Sequence, residues 1–227
     1  MEAHHALHVF DMDGTLLTGS ASLELSRRAG SLDVVEEMEE RWARGEIGHV
    51  EFYEMLLPLW ADLTEADVRA TFDESPWLDG VGEVFRDIRD RGEHAIVISL
   101  SPQFFVDLLL DLGLGAGHGA RVHPRSPLDP ADVLTPQAKI EIVDRTAQRH
   151  GIAGDRIVAY GDSASDVPLF RRLPKTVAVN GSPAVRGLAR CHYDGGDLRG
   201  AYRMGRELLD GVAPVAEVGL DRPEYRR

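Results

Sequence analysis

Four strand-length apolar runs, Ala6 to Phe10, Ala95 to Ser99, Ile157 to Tyr160 and Thr176 to Val179, alternate with segments of helical period along most of this chain. That alternation predicts a parallel sheet covered by helices, an α/β doubly wound fold. Roughly eighty residues without a convincing strand separate the first two runs, far more than the dozen or so a parallel crossover requires. An inserted helical cap over residues 17–90 accounts for the excess, leaving residues 1–16 and 91–227 as a Rossmann-like core. Inside the insert, Val34, Val35, Met38 and Trp42 recur at helical spacing between Ser31, a candidate N-cap, and Gly45; such a stripe reads as core. Thr64 and Asp67 open a further helix carrying Val68 and Phe72, and the polar stretch from about Pro214 to Arg227 reads as a loosely held tail.

Composition narrows the function classes. With 43 % hydrophobic and 28 % charged residues the chain can build a packed core. Its 25 basic residues against 38 acidic ones give a net charge of −13, which repels a phosphate backbone, so nucleic acid is not an expected partner. No apolar run approaches the ~20 residues of a membrane span, and no basic segment followed by an apolar one marks the N-terminus. A lone Cys191 offers neither an internal disulfide nor a thiol metal site and reads as a small buried hydrophobe. Together these features predict a cytoplasmic protein. His4, His5 and His8 lack the spacing of a metal pair on one helix face and read as surface residues.

Two acidic clusters carry the chemistry. The first predicted strand delivers Asp11-Met12-Asp13-Gly14-Thr15 at its carboxyl end, where open α/β sheets place their ligands. Gly14 permits the tight turn that brings two carboxylates round one ligand. Gly161-Asp162-Ser163-Ala164-Ser165-Asp166 follows the third run, on the same side of the sheet. Carboxylates ~4 Å apart repel by about 4 kcal/mol at an effective dielectric of 20, so the cluster demands a cation. Hard oxygen ligands without nearby His or Cys point to Mg²⁺. Ser99, ahead of Leu100-Ser101-Pro102, and the amides that follow it suit an anion, and Thr135-Pro136 caps a helix that carries Lys139 one turn inside.

The order Asp-x-Asp-Gly-Thr-Leu, strand-end Ser, Lys, then Gly-Asp-x-x-x-Asp resembles the haloacid dehalogenase superfamily of phosphohydrolases over residues 6 to 180, and the helical insert resembles the cap of its phosphoserine phosphatase branch. The resemblance implies that Asp11 is a nucleophile forming an aspartyl-phosphate, and that Asp13 protonates the leaving alcohol and then activates water. It implies that Ser99, Leu100 and Lys139 hold the transferring phosphoryl group. Asp11, the Asp13 carbonyl and Asp162 would hold Mg²⁺, with Asp166 supporting the metal or Lys139 from behind. Asp13 excludes the dehalogenase branch, whose members lack that second acid.

Set in register with phosphoserine phosphatases, the chain carries Ser20 where those enzymes have a Glu for the substrate ammonium, and Leu56 where they have an Arg for the carboxylate. Leucine cannot replace a bidentate guanidinium. The expected substrate is therefore another small phosphomonoester, a sugar, polyol or amino-alcohol phosphate, in a pocket lined by Ser20, Arg44, His49, Phe52, Tyr53 and Leu56. Three alternatives stay open: phosphoserine phosphatase proper, a phosphotransferase or phosphomutase sharing the aspartyl-phosphate, and a silent phospho-ligand-binding module. Nothing in the sequence addresses the oligomeric state.

Overall fold

The computed structural model describes residues 5–212, so the predicted tail and His4 lie outside the described residues. The chain runs β1 (Leu7–Phe10), α1 (Ala21–Ala29), α2 (Leu32–Ala43), α3 (His49–Leu56), α4 (Glu65–Glu74), α5 (Val81–Asp90), β2 (His94–Pro102) and α6 (Gln103–Val106). It continues through β3 (Ala116–Ala120), α7 (Pro136–His150), β4 (Ile157–Gly161), α8 (Val167–Arg172), β5 (Thr176–Val179), α9 (Pro183–Arg186), β6 (Cys191–Tyr193) and α10 (Leu198–Leu209). All pairings are parallel, in the order β3-β2-β1-β4-β5-β6, so the doubly wound reading holds and Asp11 leaves a central strand. The order reverses between β1 and β4, the switch point at which such sheets bind ligands.

Side-chain alternation along β1 splits the core into two layers. Leu7 and Val9 pack with Ile142 of α7 and Leu169 of α8, while Phe10 faces Val84 and Phe85 of α5 and Met204 of α10. His8 shares the second face and is fully buried, a correction to its surface reading. Its Nδ1 lies 3.0 Å from the Tyr160 hydroxyl and its Nε2 3.1 Å from Glu93. Burial holds its pKa below the usual value, so the ring is neutral, with Glu93 accepting from Nε2 and Nδ1 accepting from Tyr160.

Two strands escaped the sequence reading. β3 is Ala-Gly-His-Gly-Ala, a composition poor in strand formers, yet a Cβ on Gly117 would meet the Val106 side chain at 2.7 Å and one on Gly119 the Ser101 carbonyl at 2.7 Å. Glycine lets α6 and β2 approach that closely, and packing outweighs propensity. β6 is a three-residue edge strand on which Cys191 is half-buried, at the margin of the core instead of inside it. β2 also runs three residues beyond its expected end, to Pro102, with a register shift between Ile98 and Pro102.

The insert is helical throughout, α1 to α4, around Leu25, Met38, Leu56 and Trp60, whose indole N–H donates to Ser26 Oγ at 2.9 Å. The two chain crossings run side by side: Leu78 N donates to Leu16 O at 2.8 Å and Thr18 N to Pro76 O at 2.9 Å. α5, expected within the insert, packs on the sheet, where the Phe85 ring meets Phe10 edge-on at 5.8 Å and Asp87 accepts from Tyr202 of α10. Its apolar face matches the sheet, and we accordingly propose a cap boundary near residue 78, not residue 90. Among the described residues no helix is long and apolar enough to cross a membrane.

Candidate active site

The cavity of about 430 Å³ between sheet and cap gathers residues from the turn after β1, from β2, from the loop after β4 and from the first three cap helices. Of the sequence-predicted residues, Asp11, Asp13, Leu100, Asp162, Ser20, His49, Phe52 and Tyr53 line it. Ser99, Lys139 and Asp166 sit buried directly behind that lining. Two expected pocket residues are placed elsewhere. Arg44 follows the last turn of α2 and points to solvent, paired with Glu46 and Glu40, because Gly45, with φ 73°, turns the chain away there. Leu56 is fully buried in the cap core, one turn beyond the part of α3 that reaches the cavity.

Gly14 is what the turn after β1 requires. With φ 73° it occupies left-handed space, and any Cβ there would overlap the Asp162 carboxylate. The close approach brings Thr15 Oγ1 to 3.3 Å from Asp162 Oδ1. Gly161 does the same service for the second cluster, since a Cβ on it would run into the Asp166 side chain.

Lys139 is 1 % exposed, and its Nζ lies 2.8 Å from Asp11 Oδ2 and 2.7 Å from Asp166 Oδ1. It reaches this point because Thr135 caps α7 by accepting from Ala138 N, which aims the first turn of the helix at the ends of β1 and β4. Burial alone would lower an ammonium pKa, but the two carboxylates reverse that and raise it, so Lys139 is charged. Asp166 also accepts from Asp162 N at 3.0 Å and Ser163 N at 3.3 Å, which occupies both of its oxygens and makes it a positioning group for Lys139 and the loop.

Asp11 Oδ1 accepts from Met12 N at 2.7 Å, and its Oδ2 from Ser165 Oγ at 3.2 Å as well as from Lys139. Asp13 Oδ2 accepts from Ser99 at 2.9 Å and Ser101 at 2.7 Å, while Oδ1 accepts from Ala21 N of α1 at 2.7 Å. Burial and the Asp11 charge nevertheless raise its pKa, the direction a proton donor near neutral pH needs. Ser99 therefore holds Asp13, not open space, although its sequence position suggested direct anion contact.

One carboxylate oxygen each from Asp11, Asp162 and Asp166 lies within 4.8 Å of the others. Burial first, then Asp11 and Asp166, push Asp162 well above the usual carboxylate range, since Lys139 alone does not balance the cluster. An all-oxygen, charge-deficient corner of this kind fits a hard divalent cation. Asp11 and Asp162 would ligate it, because Asp166 is already committed.

Of the lining residues that sequence reading missed, four bear on the chemistry. Ser101 and Ser165 stand within the motifs quoted above, and only the fold shows their hydroxyls turned onto Asp13 and Asp11. Trp42 lines the cavity from α2, although its stripe read as core. Glu39 joins it there and accepts a hydrogen bond from Ser20 Oγ. The signal for Glu39 was its spacing: positions 35, 38, 39 and 42 share one helical face, and a Glu on such a face must be placed somewhere.

Comparison with known proteins bears on the family and the fold. The chain is 29 % identical over 217 residues to a phosphoserine phosphatase of Archaeoglobus fulgidus, covering 93 % of this chain and 60 % of that one. It is 26 % identical over 204 residues to the phosphoserine phosphatase of Methanocaldococcus jannaschii, covering 88 % of this chain and 97 % of the relative. A substrate-bound phosphoserine phosphatase structure superimposes with a TM-score of 0.73 at 22 % identity, over 92 % of this chain and 98 % of that one. The haloacid dehalogenase-like hydrolase model matches residues 8–171, most of the chain and every acidic position described above; the chain belongs to that family.

Proposed function

We propose that this chain is a phosphoric monoester hydrolase that works through an aspartyl-phosphate on Asp11 and uses Mg²⁺. One observation carries the reading: Asp11 lines the cavity while Lys139 and Ser165 engage its Oδ2, so a nucleophilic carboxylate is fixed at the cavity wall and its charge compensated. The Asp11 oxygen attacks phosphorus, the P–O ester bond breaks, and the departing alkoxide takes the proton held at Asp13. Asp13, now a carboxylate, accepts a proton from water as that water attacks phosphorus, and inorganic phosphate leaves with Asp11 regenerated. Mg²⁺ held by Asp11, Asp162 and the Asp13 carbonyl would supply charge neutralisation at the transferring oxygens. The Asp13 proton is accessible because its anion is stabilised only by Ser99, Ser101 and the Ala21 amide, against burial and Asp11.

The relatives named above are phosphoserine phosphatases, but the cap half of this cavity supports a different alcohol. Among the described residues no lysine or arginine lines it, so a substrate carboxylate would lack a cationic partner beside Asp13 and Glu39.

Phosphate release from p-nitrophenyl phosphate and from a panel of natural-type esters, phosphoserine included, tests this reading with Mg²⁺ or EDTA. Release that stops with EDTA and falls by roughly 10⁴-fold in Asp11→Asn is the expected result. Release unchanged in Asp11→Asn overturns the nucleophile, and release only on addition of an acceptor alcohol replaces hydrolysis by phosphoryl transfer. Phosphoserine turned over far faster than every other ester overturns the substrate reading alone.

A further inference from the structure

The cap side of the cavity is an aromatic and aliphatic chamber, with Leu23, Trp42, Phe52 and Tyr53 around one carboxylate, Glu39. Glu39 is half-buried on α2 and accepts from Ser20 Oγ, a neutral donor at the N-cap of α1. Among the described residues no arginine or lysine pairs with it, although the exposed acids of the same helix region, Glu40 and Glu46, take Arg44. His49 on this wall is held neutral by burial, and its Nε2 has no hydrogen-bond partner among the described residues; Tyr53 is kept as the neutral phenol by burial and the Asp13 charge. A carboxylate left in an apolar chamber without a counter-ion is costly unless a ligand supplies the positive charge. Aromatic faces beside it add attraction for the same kind of group.

Resting on the phosphatase reading, we propose that Glu39 is a specificity residue that pairs with an organic ammonium on the substrate alcohol, so that the preferred substrates are phosphomonoesters of amino alcohols without a carboxylate. The phosphate end lies over Asp11 and the amine end lies against Glu39, Ser20 and the Trp42 ring. The acids on the sheet side are those that would hold the metal and act on the phosphoryl group, which leaves Glu39 as the cap-side anion available to the substrate. Burial first, then the charges of Asp13 and Glu36, push its carboxyl up to about 7 against the pull of Ser20, and an ammonium would draw it back down.

Calorimetric binding of 2-aminoethylphosphonate and propylphosphonate, an isosteric pair that carry ammonium and methyl at the same position, tests the proposal in the presence of Mg²⁺ without relying on turnover. Wild type should bind the amine about tenfold more tightly, a difference worth about 1.4 kcal/mol, and Glu39→Gln should make the two equal. Glutamine keeps an acceptor for Ser20, so a purely structural role for Glu39 would weaken both ligands alike or lower Tm, and either pattern overturns the proposal. It is equally overturned if wild type shows no preference, or if the preference survives in Glu39→Gln. Adding a carboxylate, as in 2-amino-3-phosphonopropionate, should weaken binding; tighter binding overturns the exclusion of carboxylate. p-Nitrophenyl phosphate turnover separates the failures: an active enzyme without amine preference sinks Glu39 alone. A protein that neither turns over this ester nor binds either phosphonate sinks the phosphatase reading and the proposal together.

Discussion

On the sheet side of the cavity, Asp11, Asp13 and Asp166 each accept three hydrogen bonds or ion-pair contacts from named donors. On the cap side, Glu39 has the Ser20 hydroxyl and a wall of rings. The first arrangement is over-determined, as phosphoryl transfer requires, since positioning within a fraction of an ångström and fixed charges supply most of the acceleration. The second is held by fewer partners, which leaves room for the ammonium proposed above. The proposed chemistry and the proposed selectivity thus reside in regions that differ in how many partners hold their acids, joined by the paired crossings at Leu16–Leu78 and Thr18–Pro76.

Breaking the sheet side should cost most. Lys139→Met leaves Asp11 and Asp166 buried without their cation, and a stability loss of about 3–5 kcal/mol by denaturant titration is expected together with loss of turnover. A Lys139→Met protein as stable as wild type would show that the three groups are not coupled. Gly14→Ala forces a side chain into left-handed space and onto Asp162; kcat should fall by about a hundredfold through misplacement of the acids. Unchanged kinetics in that variant would mean that the turn adapts freely.

The cap side should answer to pH. Glu39 faces Asp13 and Glu36, with Ser20 as its donor and neutral His49 on the same wall, and its carboxyl titrates at about 7. Because the ionised form binds the ammonium, the ratio of 2-aminoethylphosphonate to propylphosphonate affinity should rise between pH 6 and pH 8, by about tenfold at most. A flat ratio would mean that the carboxyl is ionised throughout that range. The smallest effect is expected from Arg44→Ala. This side chain was expected in the pocket but stands in solvent with Glu46 and Glu40, so KM should stay within about twofold of wild type. A larger change would bring Arg44 back to the substrate.

The acidic turns, their order along the chain and the capped helix carrying Lys139 were legible because each depends on residues adjacent in sequence. Asp11 and Asp13 share one turn, Asp162 and Asp166 another, and Thr135-Pro136 starts the helix that aims Lys139. β3 was not legible, since its glycines are chosen for the close approach of α6 and β2 and carry no strand signal of their own. His8 was misread because a titratable residue in a strand reveals its burial only when Tyr160 and Glu93 arrive from elsewhere in the chain.

The family and the placement of the sheet-side acids were therefore determined by the sequence alone, because strand-end carboxylates two or four residues apart converge through local backbone geometry. What the cap presents to a substrate was decided by tertiary packing. α2 turns Glu39 and Trp42 inward while the chain leaves with Arg44, and α3 buries Leu56 while Phe52 and Tyr53 reach the cavity. Helical periodicity states which residues share a face, but only the packing of one helix on another states what that face meets.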